Sequence, residues 1–145
     1  MLGKSNVSKL TTSLQGFNDH RGKLAVGQTP EGLPFQVQRF FIVSNVPPGE
    51  PRGIHAHRKC HQFLVCVAGS LKAVFDDGAS REVVLLDKPN LGLHMPPLTW
   101  GTQYDFSSDA VLLVLASERY DEADYIHDHQ EFLELVRKHN LDNKK

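Results

Sequence analysis

Over most of this chain apolar and polar residues alternate with a period of two, and only the C-terminal stretch changes to a helical period. Residues 35–44 are dense in aromatic and β-branched side chains. They predict a long strand with Val37, Arg39, Phe41 and Val43 on one face and Gln36, Gln38, Phe40 and Ile42 on the other. Apolar residues on both faces place this strand between two layers, or between a sheet and a partner chain. Val46-Pro47-Pro48-Gly49-Glu50-Pro51 cannot continue a ladder, because proline lacks the backbone donor, and reads as a loop. The histidine stretch follows, and strands are then expected over 62–68, 71–75, 81–86, 93–95, 100–106 and 110–117, with Asp77-Gly78 as a hairpin turn and the nearly continuous apolar run 110–117 in a central position. Ile126, Phe132, Leu133, Leu135 and Val136 form the apolar side of a helix over 127–139, with Asp128 as N-cap and a basic last turn suited to the helix dipole. Short strands at such spacing followed by one helix predict an all-β jelly-roll barrel with a C-terminal α-helix. Residues 1–16, polar with scattered apolar positions, read as a loose arm or a short pairing strand ahead of a single domain over 17–145.

Composition narrows the function classes. The 145 residues carry 16 basic and 17 acidic side chains, interspersed, so nothing advertises a surface for nucleic acid. No apolar run approaches the roughly 20 residues of a membrane helix, and there is no signal-peptide core. Cys60 and Cys66 have neither disulfide-scaffold density nor metal spacing; the expectation is two inert thiols in a cytoplasmic protein.

The candidate chemistry centres on Arg52-Gly53-Ile54-His55-Ala56-His57, followed by Gln62 and Gly69. On a strand, His55 and His57 point to the same face, about 7 Å apart. The spacing is that of metal-binding cupin barrels, which place a Glu where this chain has Gln62 and a further His after a later turn. A neutral amide is the weaker ligand, and no histidine lies between Leu98 and Ile126, so no metal is expected. Two imidazoles near neutral pKa suit proton transfer instead, one taking and one giving a proton. Arg52 can present a guanidinium fork to phosphate. Trp100 and Tyr104 can wall a pocket for a sugar or base, or simply pack in the core. Tyr120 and Tyr125, flanking Asp121, Glu122 and Asp124, can cover a pocket mouth or a dimer seam.

Several elements together resemble a known family: Asp19-x-Arg21-Gly22, Arg39-Phe40-Phe41, Arg52-Gly53-x-His55-Ala56-His57, Gln62, Asp76-Asp77-Gly78, Trp100, Tyr104-Asp105-Phe106 and Tyr120-Asp121-Glu122-x-Asp124-Tyr125. The order is similar to that of the sugar-nucleotide 3,4-ketoisomerases, WxcM-like cupins acting on dTDP-4-keto-6-deoxyglucose. The resemblance implies a cupin-type double-stranded β-helix and a cytoplasmic homodimer that works without metal or other cofactor. It also implies a dTDP-linked 4-keto-6-deoxy sugar as substrate and a 3-keto product for 3-amino-3,6-dideoxy sugars, such as those of lipopolysaccharide O-antigens. His57 would remove the proton at C3, with His55 assisting. Arg52 would hold the pyrophosphate, and Gln62, Trp100, Tyr104 and Arg39 would complete the substrate site. Two other readings are a non-catalytic sugar-nucleotide-binding cupin and a metal-dependent cupin enzyme. The chain departs from the family in having Phe40-Phe41 where a tyrosine is usual, Gly101 where relatives can carry His, and His129 where Tyr is common.

Overall fold

A computed structural model describes residues 10–144. Its strands are β1 Thr11–Ser13, β2 Gln15–Asp19, β3 Gly22–Val26, β4 Arg39–Ser44, β5 Arg52–His57, β6 Gln62–Ala68, β7 Leu71–Asp76, β8 Arg81–Leu86, β9 Leu91–Met95, β10 Trp100–Tyr104, β11 Val111–Ala116 and β12 Tyr125–Ile126; helix α1 is His129–Asn143. One sheet has the order β1-β9-β6-β11-β4 and the other β12-β5-β10-β7-β8, all antiparallel, while β2 and β3 form a separate hairpin. Alternation along each strand sends one set of side chains between the sheets. Leu64, Cys66, Leu93, Leu112 and Val114 of the first meet Leu71, Ala73, Phe75, Val84 and Leu86 of the second in one buried core. This is the jelly-roll, double-stranded β-helix architecture. Helix α1 covers the outer face of the second sheet, where Ala56, Trp100, Ile126 and Phe132 are buried together.

Three expectations are corrected here. The strand expected over 35–44 begins at Arg39, because pairing with β11 starts there; Phe35 turns aside to pack on His61 and His94, and Thr29 Oγ1 donates to its carbonyl. Nor does β4 lie between two layers of this chain, so of the two alternatives only cover by a partner chain is left open. The strand is a sheet edge whose outward Phe40 and Ile42 are 63% and 58% exposed, while Arg39, Phe41 and Val43 turn inward. The helix starts two residues later and runs four further than expected, since no Gly or Pro stops it, and its last turn therefore contains no basic residue. Asp128 is the N-cap, accepting from the Gln130 and Glu131 amides. Of the expected arm, residues 11–13 pair with β9 and 15–16 open the hairpin, while residues 1–9 lie outside the described residues.

Candidate active site

Strand β5 lies between β10 and β12, and its path is broken once. His55 faces Gly101, but the next step along β10, Thr102, faces Gly53, so Ile54 is an extra residue in the ladder. Gly53 has φ 81° and Ile54 φ 62°, the latter a strained conformation for a β-branched residue. The consequence is directional. In an unbroken strand Arg52 and His55, three apart, point to opposite faces; the bulge cancels one alternation and returns Arg52, with its partner Gln103, to the inward face of His55 and His57. Gly53 is required for this, because a Cβ there would lie 2.7 Å from Gln103 Oε1 and its φ suits glycine.

His57 ends β5 beside a carboxylate. Its Nδ1 is 3.0 Å from Asp124 Oδ2, and the two side chains are 6% and 4% exposed. Asp124 also accepts from the Lys59 amide at 2.8 Å and the Cys60 amide at 3.3 Å. Burial pushes the Asp124 carboxyl up, but these backbone donations and His57 outweigh it and hold the pKa below the ordinary carboxylate value. The group is thus an acceptor only, so His57 Nδ1 carries the hydrogen and Nε2 keeps its lone pair. That Nε2 is buried without a hydrogen-bond partner, as is Gln62 Nε2. Burial lowers the pKa of His57 despite Asp124, so the ring is neutral at pH 7.

Asp124 is put in place by local sequence. Asp121 caps the short turn Glu122–Asp124 by accepting from Ala123, and β12 then pairs Tyr125 with His57 and Ile126 with Ala56. From the opposite side Arg58 donates to the carbonyls of Ala123 and Tyr125 and ion-pairs with Glu131 at 2.6 Å, stapling this segment to the barrel.

Around His57 the rings converge. His55 stands edge-on at 4.9 Å between centroids, and Tyr125 is 4.4 Å from His57 and 4.9 Å from His55. Burial and the neighbouring His57 push the His55 pKa down to about 4. Arg39 faces the same end of the barrel, with Nε on the Glu118 carbonyl at 3.3 Å and its guanidinium over Phe41 and Tyr120. Gln62 lies opposite Ala116 on the inward face. Arg52 sits at the entrance, where it also borders a 490 Å³ cleft with Ile42, Asn45 and Glu50. His57, Cys60 and Asp124 bring ligand-type atoms within 4.8 Å of one another, but the carboxylate oxygens already hold two amides and His57, and neither His55 nor Gln62 belongs to this set.

Trp100 and Tyr104 are not brought to this site. Adjacent to Gly101, which faces inward, Trp100 points to the other side of the sheet, buried against His129 and Phe132 beneath α1, and Tyr104 shares that outer face by alternation. Asp124 and Tyr125, read from sequence only as part of a segment that could cover a pocket mouth or a dimer seam, belong to the site itself, as does Gln103, which was missed. The first two stood in the recognised Tyr-Asp-Glu-x-Asp-Tyr stretch, but nothing in it showed pairing to β5. His61 and His94, stacked with Nδ1 and Nε2 2.9 Å apart, lie on the outer face of the first sheet with Phe63 and Phe35.

A family model, FdtA (WxcM-like, C-terminal), matches residues 6–137. The chain belongs to this family. A TDP-4-oxo-6-deoxy-α-D-glucose-3,4-oxoisomerase from Aneurinibacillus thermoaerophilus is 40% identical over 126 residues, covering 87% of this chain and 91% of that protein. Among solved structures, a variant of the QdtA 3,4-ketoisomerase from Thermoanaerobacterium thermosaccharolyticum in complex with TDP-4-keto-6-deoxyglucose is 33% identical at a TM-score of 0.85, covering 88% of this chain and 93% of that one. A 3,4-ketoisomerase from Helicobacter canadensis is 36% identical at 0.83, over 88% and 96%. FdtA-family membership and these relatives agree with the barrel.

Proposed function

We propose that this FdtA-family chain is a 3,4-ketoisomerase that converts dTDP-4-keto-6-deoxyglucose to a dTDP-3-keto-6-deoxyhexose. The observation that carries the mechanism is the buried His57–Asp124 pair, which leaves Nε2 of a neutral imidazole without a protein partner at the inward end of the barrel. A C3 hydrogen next to a C4 ketone is acidic enough for such a base: Nε2 takes it, the electrons form a C3–C4 enediol, and the imidazolium returns the proton at C4. General base action of this kind contributes about 10²–10⁴ in rate. Asp124 fixes the tautomer and stabilises the imidazolium. Arg52 at the entrance binds the pyrophosphate, and Arg39, Gln62 and Gln103 face the sugar.

The reaction is metal-independent: Gln62 offers an amide where a carboxylate ligand would stand, and the Asp124 oxygens are filled by hydrogen bonds. The protein works as a homodimer through the outer face of the first sheet. There Phe40, Ile42 and Val67 are exposed, and a groove of 720 Å³ lined by Leu24, Leu33, Phe63 and Leu115 runs under the hairpin, whose Phe17 is also exposed. Two free buried cysteines and a nucleotide-sugar substrate support a cytoplasmic setting. The product suits a following aminotransferase, toward 3-amino-3,6-dideoxy sugars.

The test is incubation of the protein with the 4-keto sugar nucleotide in D2O, with and without chelator, followed by NMR at C3 and C4. A 3-keto product is expected with chelator as without it, with protium at C4 where His57 carries the C3 hydrogen across and deuterium there only to the extent that the imidazolium exchanges with solvent. No exchange and no product refutes the isomerase, and binding without turnover favours a sugar-nucleotide-binding protein.

A further inference from the structure

Moving a carbonyl from C4 to C3 requires two exchanges: hydrogen passes from C3 to C4, and a proton passes from O3 to O4. His57 performs the first. The second needs a group that can both give and take a proton at oxygen, and the neighbouring side chains differ in whether they can. His55 gives its ring hydrogen to the Gly53 carbonyl, so its other nitrogen is an acceptor, and it is neutral at pH 7. Gln62 carries a buried amide nitrogen without a partner, which can orient an oxygen but does not release a proton. Phe41, the inward aromatic of β4, has no hydroxyl.

Tyr125 does. Register places it opposite His57 on the inward face, its ring 4.4 Å from that of His57 and 4.9 Å from that of His55. The Arg39 guanidinium lies beside its hydroxyl. Burial opposes the charge on Arg39, but Tyr125 and Cys60 hold its pKa above the ordinary value. A fixed cation behind a phenol stabilises the phenolate that proton donation leaves.

We propose that the Tyr125 hydroxyl, backed by Arg39, is a catalytic residue that protonates O4 and then deprotonates O3. This rests on the isomerase reading above. In the first half, His57 Nε2 removes the C3 hydrogen, the C–H pair becomes the C3–C4 double bond, and the carbonyl π pair at O4 takes the phenolic proton. In the second, the phenolate takes the O3 proton, the O3 pair closes the C3 carbonyl, and the double-bond pair takes the proton from the His57 imidazolium at C4. Both residues return to their starting states and no oxidant is consumed.

Tyr125→Phe tests this. With wild-type protein turning over, the variant is expected to lose about 10²-fold or more in kcat while its affinity for TDP, by calorimetry, and its thermal midpoint stay close to wild type. Replacing Tyr125 with a fluorinated, more acidic tyrosine moves the basic limb of the kcat profile to lower pH, which a purely structural ring would not do. A Phe variant that keeps kcat within about threefold overturns the proposal. If that variant fails to fold or to bind TDP, an unmoved basic limb in the fluorotyrosine protein overturns it. A wild-type protein that forms no 3-keto product refutes the isomerase reading instead.

Discussion

Replacing Asp124 by Asn isolates what the carboxylate does, because it removes a charge and an acceptor while keeping the shape. Three donors converge on the two oxygens: the Lys59 amide at 2.8 Å on Oδ1, and the Cys60 amide at 3.3 Å and His57 Nδ1 at 3.0 Å on Oδ2. An Asn that keeps the shorter amide bond turns its NH2 toward Cys60 and His57. His57 can meet that donor only with an Nδ1 lone pair, which moves its hydrogen to Nε2, the atom assigned as base. Recovering the active tautomer then costs a charge-assisted bond and leaves a buried donor unpaired, about 2–4 kcal/mol together, or roughly 30- to 1,000-fold in kcat. The same loss lowers stability by about 1–3 kcal/mol, which for a chain of this size is a drop in Tm of roughly 3–10 °C. The assay is 3-keto product formation by NMR at saturating substrate, with circular dichroism confirming that the variant is folded at the assay temperature. A folded Asp124→Asn protein with kcat within about threefold of wild type refutes the tautomer argument.

Arg52→Met is expected to raise KM by about 10- to 100-fold with little change in kcat, and equal loss in both would show that Arg52 acts on the reacting carbons. Trp100→Phe lowers Tm by loosening the contact with Phe132 and His129 but leaves KM and kcat per folded molecule unchanged, whereas a raised KM would return Trp100 to the pocket wall. Because burial lowers the pKa of His57 and takes that of His55 to about 4, activity should stay on its plateau at pH 7 and fall only as pH drops below 6.5, as His57 protonates. Stability follows the same sign: between pH 6.5 and about 4 the unfolded chain binds protons that folded His55 refuses, so Tm falls with pH over that window, and a Tm that rises there contradicts the depressed pKa. Phe40→Asp, placing a charge on the exposed face of β4, should shift the mass seen by light scattering from twice 16.2 kDa to 16.2 kDa; a monomeric wild type or a dimeric variant refutes that interface.

Most of the barrel was legible because period-two alternation is strong wherever one face is buried, as in β6, β7 and β11. The strand at β4 was overextended because residues 35–38 have strand-like composition, whereas where a ladder begins depends on its partner. In the candidate site, the His-x-His pair could be read from spacing alone. Arg52 was assigned to the site by resemblance, and strict alternation would have turned it away; the bulge that returns it is a two-strand property. Trp100 failed for the complementary reason: an aromatic on a strand can face either layer, and only the register with β7 and the cover of α1 show which. Asp124 is 67 residues from His57 in sequence, and no local pattern announces such a pairing.

The choice of base between two histidines also belongs to that long-range contact. Both rings are desolvated, and desolvation alone makes an imidazole a poorer base, as His55 shows with a pKa of about 4. Burial is still needed, since it keeps both rings neutral beside Arg39 at pH 7. What separates them is the partner on the far nitrogen. His55 meets a backbone carbonyl, a dipole, whereas His57 meets a carboxylate that is itself held ionised by two backbone amides. In the proposed mechanism the charge that His57 gains on taking a proton from carbon is met by a full negative charge 3.0 Å away between two buried side chains. Protonating His55 would set its charge edge to edge with a neutral His57 ring and against a carbonyl dipole, with no carboxylate in contact. The His-x-His motif therefore supplies two equivalent imidazoles, and the short β12 segment, stapled by Arg58, makes them unequal.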